Sequence, residues 1–378
     1  MTSNSLTRRS SADNEQARCR QVENAALHLP SYADRYTDIP RLTRLKFIAQ
    51  VCPKLRVPAL ELAIDHVKTT YNVKLYDELY KTLCAEVGAL ARKQPANDDE
   101  ASTSSGRNRR AQPYDTFWVE DNTIESSLML QELDAELNFK KSNSGSANVR
   151  RILEEIGDYH EKSGNLQMAI KFYARARPYC TSSDNVINMF RNLIRVSIYM
   201  ANWWYVLTYI DEAKQYAFGY ENLSQEVPAR LSCAAGLANM GLKIYKSAAQ
   251  SFLQTSFGRY DYDKIVAPED LSFYAGLCAL ATYDREKLQL NVINSEAFKP
   301  FFQLTPKMWN ILAKFYEGQS EVCEELLREI EDQIRLDVYL APHVDKLYEM
   351  IINRLPKKKE KKAKYEYLKR YSTTSSAT

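Results

Sequence analysis

The chain has 378 residues, 45% of them hydrophobic and 26% charged, which gives room for two or three domains or one long array and enough apolar side chains for a sizeable core. Its 11 glycines and 13 prolines are few for an all-β protein and fit an all-helical one. The net charge of +3 comes from one tail, where residues 357–370 hold eight Lys or Arg against two Glu, so the body before it does not read as a nucleic-acid-binding surface.

Residues 1–21 are polar and are expected to be disordered. Residues 22–91 carry helical signals. In RLTRLKFIAQVCP, Leu42, Leu45, Ile48 and Ala49 share one face. Pro53 ends that helix, and Pro58 opens the next, with Leu60, Ala63, Ile64 and Val67 as its stripe. Residues 92–113, RKQPANDDEASTSSGRNRRAQP, are polar and of low complexity. They offer too little apolar surface to offset ordering, so a mobile linker is expected. A helix is expected near Trp118–Lys140, with Ile124, Leu128 and Leu137 on its buried side and Leu133 close by.

From residue 114 to 304 a unit recurs. Val149, Ile152, Ile156 and Tyr159 run at helical spacing into KSGN, where Gly164 can end one helix in the left-handed region and Asn165 can cap the next. Leu166, Ala169, Ile170 and Tyr173 then restore the spacing, with Gly157, Ala169 and Ala176 allowing close approach. Further turns centre on Asn202, Tyr245 and Asp284, giving spacings of 37, 43 and 39 residues from Asn165 onward. These lie between the tetratricopeptide and HEAT periods. A lone helical hairpin leaves one apolar face wet, and stacking covers it; the reading is an all-α, TPR-like helical-hairpin solenoid. Residues 305–355 read as a helical bundle. Thr305 and Pro306 open its first helix, whose stripe is Trp309, Leu312, Phe315 and Tyr316. Val322, Leu326, Ile330 and Ile334 follow, then Val344, Leu347 and Ile351. Residues 356–378 form a basic tail.

Signals for chemistry are sparse. The seven cysteines are scattered and never form C-x-x-C, which argues against a disulfide framework or zinc site and for a reducing compartment. His28, His66, His160 and His343 form no metal-ligand spacing, and His160 reads as a helix-surface residue. GLANMGLK, residues 236–243, resembles a phosphate loop but lacks Ser or Thr after its lysine and lies in a helical pattern; its glycines read as packing positions. EELLREIED, residues 324–332, reads as a solvated face with Arg328 as partner. No catalytic residue, cofactor or metal is expected, and no apolar run suggests a membrane span or signal peptide. Partner contact is expected instead. Of the adjacent Trp203 and Trp204, one packs inward, and the outer one is a candidate contact. The candidates are Trp204, Trp309, Tyr316, Tyr339 and His343. Lys357, Lys358, Lys359, Lys361 and Lys362 read as a solvated tail, an import signal or, with Tyr365 and Tyr367, a nucleic-acid contact.

Six stretches carry a resemblance: LRVPALELAIDHVKTTYNVKLYDELY, YARARPYCTSSDNVINM, NWWYVLTYIDEAK, CAAGLA, YAGLCALATYDREKLQLNVI and LDVYLAPHV. In this order they resemble the COP9 signalosome subunit 1 family, which is related to a proteasome-lid subunit. The resemblance implies a helical-repeat arm followed by a PCI domain, a helical bundle ending in a winged helix. It also implies a non-catalytic scaffold role, cytoplasmic and nuclear, in the complex that removes Nedd8 from cullins. Other signalosome subunits and cullin-RING ligases are then the expected partners, with no membrane or nucleic acid. The family continues past Arg354 into the winged helix, whereas here lysine-rich sequence follows, so the chain is read as truncated before it. The alternatives are a free helical-repeat adaptor that no longer assembles, or a proteasome-lid-like subunit.

Overall fold

The computed structural model describes residues 20–23, 25, 27–93, 113–143, 145–220, 223–258 and 260–355. Of the expected linker, 92–113, residues 94–112 lie outside these residues, as do the tail from 356 and nearly all of the expected N-terminal disorder, while Arg92 and Lys93 end a helix rather than opening a linker. Among the described residues the regular elements are all helical, with no strand, so the all-α reading holds.

An N-terminal unit comprises α1 (Leu29–Ala33), α2 (Asp38–Val51), α3 (Arg56–Val67) and α4 (Val73–Lys93). The stripes read on α2 and α3 are all buried there. Next, α5 (Thr116–Asn143) bridges to the array: α6 (Ser146–Lys162), α7 (Leu166–Arg175), α8 (Ser183–Tyr199), α9 (Trp203–Phe218), α10 (Leu223–Gly241), α11 (Tyr245–Leu253) and α12 (Pro268–Thr282). From α5 to α12 each helix packs on the one that follows it, the nearest-neighbour arrangement of a solenoid. After α13 (Arg285–Leu288) and a π turn (Gln289–Ile293) come α14 (Lys299–Leu304), α15 (Pro306–Tyr316), α16 (Ser320–Ile334) and α17 (Val344–Arg354).

Four turns repeat one device. Gly164, Ala201, Lys243 and Gly318 each have positive φ, at 77°, 50°, 64° and 73°. The next amide donates back five residues in each case: Asn165 to His160, Asn202 to Ser197, Ile244 to Asn239 and Gln319 to Lys314, at 2.8–3.0 Å. This is the Schellman closure, which satisfies the last carbonyls of one helix and reverses the chain. Asn165 and Asn202 then accept from Met168 and Tyr205 as N-caps. The turn at Asp284 differs: Tyr283 is extended, and Asp284 caps α13 by accepting from the Lys287 amide.

Small residues sit where helices touch. A methyl group on Gly157 would lie 2.5 Å from the Tyr173 ring, and one on Gly236 2.4 Å from Phe252. The glycines of the near-miss phosphate loop are therefore packing positions inside α10. α12 is buried on every side, from Asp270 to Ala281, as expected of a helix at the centre of a molecule. Around it one apolar core runs unbroken from Ala169 to Leu355. A second core holds the N-terminal unit; among the described residues it takes in buried Ala267, Leu336, Val338 and Ala341 from beyond the unit, with half-buried Trp118, Val119 and Tyr339 packed against it.

Three expectations require correction. On α5, Leu137 is buried, but Ile124 is 61% and Leu128 53% exposed. The inward side there is polar: Asn122 donates to the Thr70 carbonyl at 3.0 Å, and the Ser126 hydroxyl lies 2.7 Å from that of Tyr159. His160 is buried, its ring stacked on Phe172 at 5.3 Å. In the last bundle the stripes turn by about one residue. Met308, Ile311 and Leu312 take the core of α15, and Cys323 and Leu327 replace Val322 and Leu326 on α16.

Candidate interaction surfaces and a buried ion cluster

The sequence-predicted contact residues do not converge. Trp204 stands 66% exposed at the start of α9, beside exposed Tyr205, while Trp203 packs inward against the edge of Tyr339. Trp309, 38% exposed on α15, leans on Phe302 at 5.8 Å. Tyr316 is half-buried beneath the Arg285 guanidinium, 5.1 Å from its centroid. Tyr339 is half-buried and faces Arg44. His343 is only 4% exposed, its Nδ1 3.2 Å from the Tyr245 hydroxyl. The expectation of a partner contact through the His343 side chain therefore gives way to a core contact. Lys357, Lys358, Lys359, Lys361 and Lys362 lie outside the described residues.

Two apolar faces remain open. On α5, Phe117, Ile124, Leu128 and Phe139 are all exposed, and their spacing of seven, four and eleven residues puts them in one stripe. The sequence reading named two of these residues but put them on the inner side. At the two ends of α9, Trp204 and Tyr205, then Phe218 and Tyr220, are exposed. Large apolar side chains left exposed in groups, here interleaved with exposed polar residues such as Asp121 and Gln131 on α5 and Thr208 and Asp211 on α9, are candidates for protein contact.

Sequence reasoning missed the most buried charged side chain among the described residues. Arg44, on α2, is 1% exposed. Its Nη2 donates to Asp270 Oδ2 at 3.1 Å and to the Ile265 carbonyl at 3.1 Å. Its Nη1 donates to Asp337 and, at 3.0 Å, to the Tyr32 hydroxyl. Tyr36 donates to Asp270 at 2.7 Å and Tyr274 to Asp337 at 2.7 Å. The guanidinium also lies 4.0 Å over the Tyr36 ring. Asp337 accepts from the Tyr339 and Leu340 amides at 3.0 and 2.8 Å. Burial pushes Asp270 up to about 6, against the opposing pull of Arg44, and drives Tyr36 and Tyr274 well above the usual phenol range. The two carboxylates hold Arg44 charged against its own desolvation. The missed signal was position: Arg44 is four residues before Ile48 and seven before Val51, on the buried stripe of α2.

A second network faces the interior of the array. Arg195 donates to Glu161 at 2.9 Å and to Tyr173 at 3.2 Å, tying α8 to the first hairpin. Between this network, α2 and residues 262–265 lies a polar cleft of about 890 Å³. Among the described residues no group of His, Cys, Asp or Glu is arranged to hold a metal, and no helix is long and apolar enough to cross a membrane.

Residues 115–291 match the family model described as 26S proteasome subunit RPN7. The chain is 40% identical over 364 residues to COP9 signalosome complex subunit 1b of Drosophila melanogaster, covering 88% of this chain and 69% of that protein. It is 32% identical over 337 residues to COP9 signalosome complex subunit 1 of Arabidopsis thaliana, covering 87% and 70%. A 26S proteasome non-ATPase regulatory subunit 6 from Dictyostelium discoideum is 23% identical over 237 residues, 60% of each chain.

Proposed function

The chain belongs to the COP9 signalosome subunit 1 family, and on that premise we propose that it is a non-catalytic scaffold subunit of a signalosome, supporting removal of Nedd8 from cullins through protein–protein contacts. The observation that carries this reading is similarity running through the N-terminal unit, the array and the bundle alike. The open faces of α5 and α9 support it, since a scaffold needs apolar surface left for its neighbours. In this reading other signalosome subunits cover those faces, and cullin-RING ligases meet the assembled complex. The protein works in cytoplasm and nucleus, with Lys357, Lys358, Lys359, Lys361 and Lys362 as the import signal. Replacing those lysines with alanine in a fluorescent fusion should deplete it from nuclei, and an unchanged distribution would remove the import assignment.

Purification of the tagged full-length chain from its own cells tests assembly. Signalosome subunits should co-purify in a species several times larger than the 43.6 kDa chain. A solitary chain would instead make it a free helical-repeat adaptor. The RPN7 match favours one further reading, a proteasome-lid-like subunit, which the same purification distinguishes by recovering lid proteins.

A further inference from the structure

The junction between the N-terminal unit and the array is built unlike either part. The extensive helix-to-helix packing lies within the unit, within the array and bundle, or along the α4–α5–α6 bridge. Among the described residues no helix pair packs as extensively across the junction. The unit rests on loop segments, residues 262–267 and 336–341, and on the turn at Gly164, where the Asn72 side chain sits over the glycine. The fully buried apolar side chains of the seat are few, Ala267, Leu336, Val338 and Ala341, with half-buried Tyr339, Trp118 and Val119 packed beside them and the Tyr71 ring 5.7 Å from that of Tyr159 on α6. The centre of the seat is the Arg44 cluster, which joins α2 to Asp270 at the start of α12 and to Asp337 after α16.

A buried ion pair of this kind gives little net stability, because desolvation cancels most of the attraction, yet it tolerates few other arrangements. Arg44 Nε has no hydrogen-bond partner, so even the closed geometry leaves part of the desolvation cost unmet. Separation would let water reach the guanidinium and both carboxylates while uncovering few fully buried apolar side chains outside the unit, Ala267, Leu336, Val338 and Ala341. Such a junction is specific when shut and inexpensive to open. Closure also has a spatial consequence, because α2 forms one wall of the polar cleft and α8, with Asn192 and Arg195, forms the facing wall.

We infer that the N-terminal unit is a latched flap: the Arg44–Asp270–Asp337 cluster holds it shut over the inner face of the array, and its release opens that face as a unit while the array stays folded. The mechanism does not depend on whether the chain assembles with other subunits.

Native-state hydrogen exchange of the full-length chain in low guanidinium provides the test. Amides of α1–α3 should open together at lower free energy than those of α8–α11. Tyr36→Phe, which removes one bond to Asp270 and keeps the ring, should speed exchange in α1–α3 by about tenfold, the scale of one hydrogen bond to a charged group, and leave α8–α11 unchanged. Arg44→Leu should do so more strongly. A cysteine placed at Asn192, inside the cleft, should then react faster with a thiol reagent in either latch variant than in the otherwise unaltered chain. Coincident opening of α1–α3 and α8–α11 in the wild-type chain would overturn the inference, as would a Tyr36→Phe effect that is absent or spread equally over both regions. These outcomes decide the matter even if Arg44→Leu does not fold.

Discussion

Gly157 and His160 share one face of α6 and show how much a single side chain decides. The Tyr173 ring occupies the place a methyl group on Gly157 would need, and Tyr173 is fixed in turn by its hydroxyl bonds to Asp158 and Glu161. Gly157→Ala should therefore lower stability by about 1–3 kcal/mol, the usual cost of overpacking a close contact, measurable as a lower guanidinium midpoint with unchanged slope. One turn on, burial lowers the affinity of His160 for a proton, with Asp134 opposing weakly. The sign follows from linkage: a base whose folded pKa lies below its unfolded value of 6.5 stabilises above that pH and loses the contribution as pH falls through the folded value. Asp270, pushed up to about 6, acts oppositely, its contribution being complete below the unfolded carboxylate value of 3.8 and lost as pH rises through about 6. The two cannot be separated in the wild-type profile alone. His160→Leu isolates the first: the stability difference between variant and wild type should be constant above pH 7 and should shift in the variant's favour on acidification. A difference flat from pH 7.5 to 5 would show that the ring titrates alike in both states.

At the scale of the element, the turn is the repeated unit, and it was only partly legible. Gly164 and Asn165 announced themselves because glycine and asparagine are the residues such a closure prefers. Ala201 and Lys243 hold the same left-handed position and carry no such signature; there the hydrogen-bond closure and the packing of the flanking helices outweigh local preference. An L-residue in that region costs about 1–2 kcal/mol. Ala201→Gly should thus raise stability by up to about 1 kcal/mol once the added freedom of the unfolded chain is subtracted, and Gly164→Ala should lower it; equilibrium denaturation of both reads the pair. α5 was illegible for a different reason. Counting apolar residues assigned Ile124 and Leu128 to its inner side, but Asn122 and Ser126 take that side because they bond to Thr70 and Tyr159, and hydrophobic periodicity registers no such bond. Arg44 escaped in the same way: a cation on a buried stripe signals a partner, yet Asp270 and Asp337 lie more than two hundred residues away.

For the whole molecule, the change of pattern at Thr305 reads in the sequence as a boundary, yet the apolar core runs across it. Met308, Ile311, Leu347 and Ile351, all beyond that point, belong to the same core as Leu271, Leu277 and Cys278 of α12. The junction before the array is the reverse case, a change of core with polar groups at its centre. The two joints should therefore respond differently to cutting. A fragment of residues 113–355 loses the cover of Asp270, Asp337 and Tyr274, which water can solvate, and uncovers four buried apolar side chains, Ala267, Leu336, Val338 and Ala341, beside the half-buried Trp118, Val119 and Tyr339. It should remain helical, monomeric and cooperative in thermal unfolding. A fragment of residues 113–304 strips the bundle from a helix that is buried on all sides, exposing apolar surface at about 25 cal/mol per Å², and it should aggregate or lose its thermal transition. Circular dichroism and size-exclusion chromatography of the two fragments distinguish them. If the shorter piece folds and the longer one does not, the stabilising core lies at the N-terminal junction, and the division of the molecule drawn from its packing is wrong.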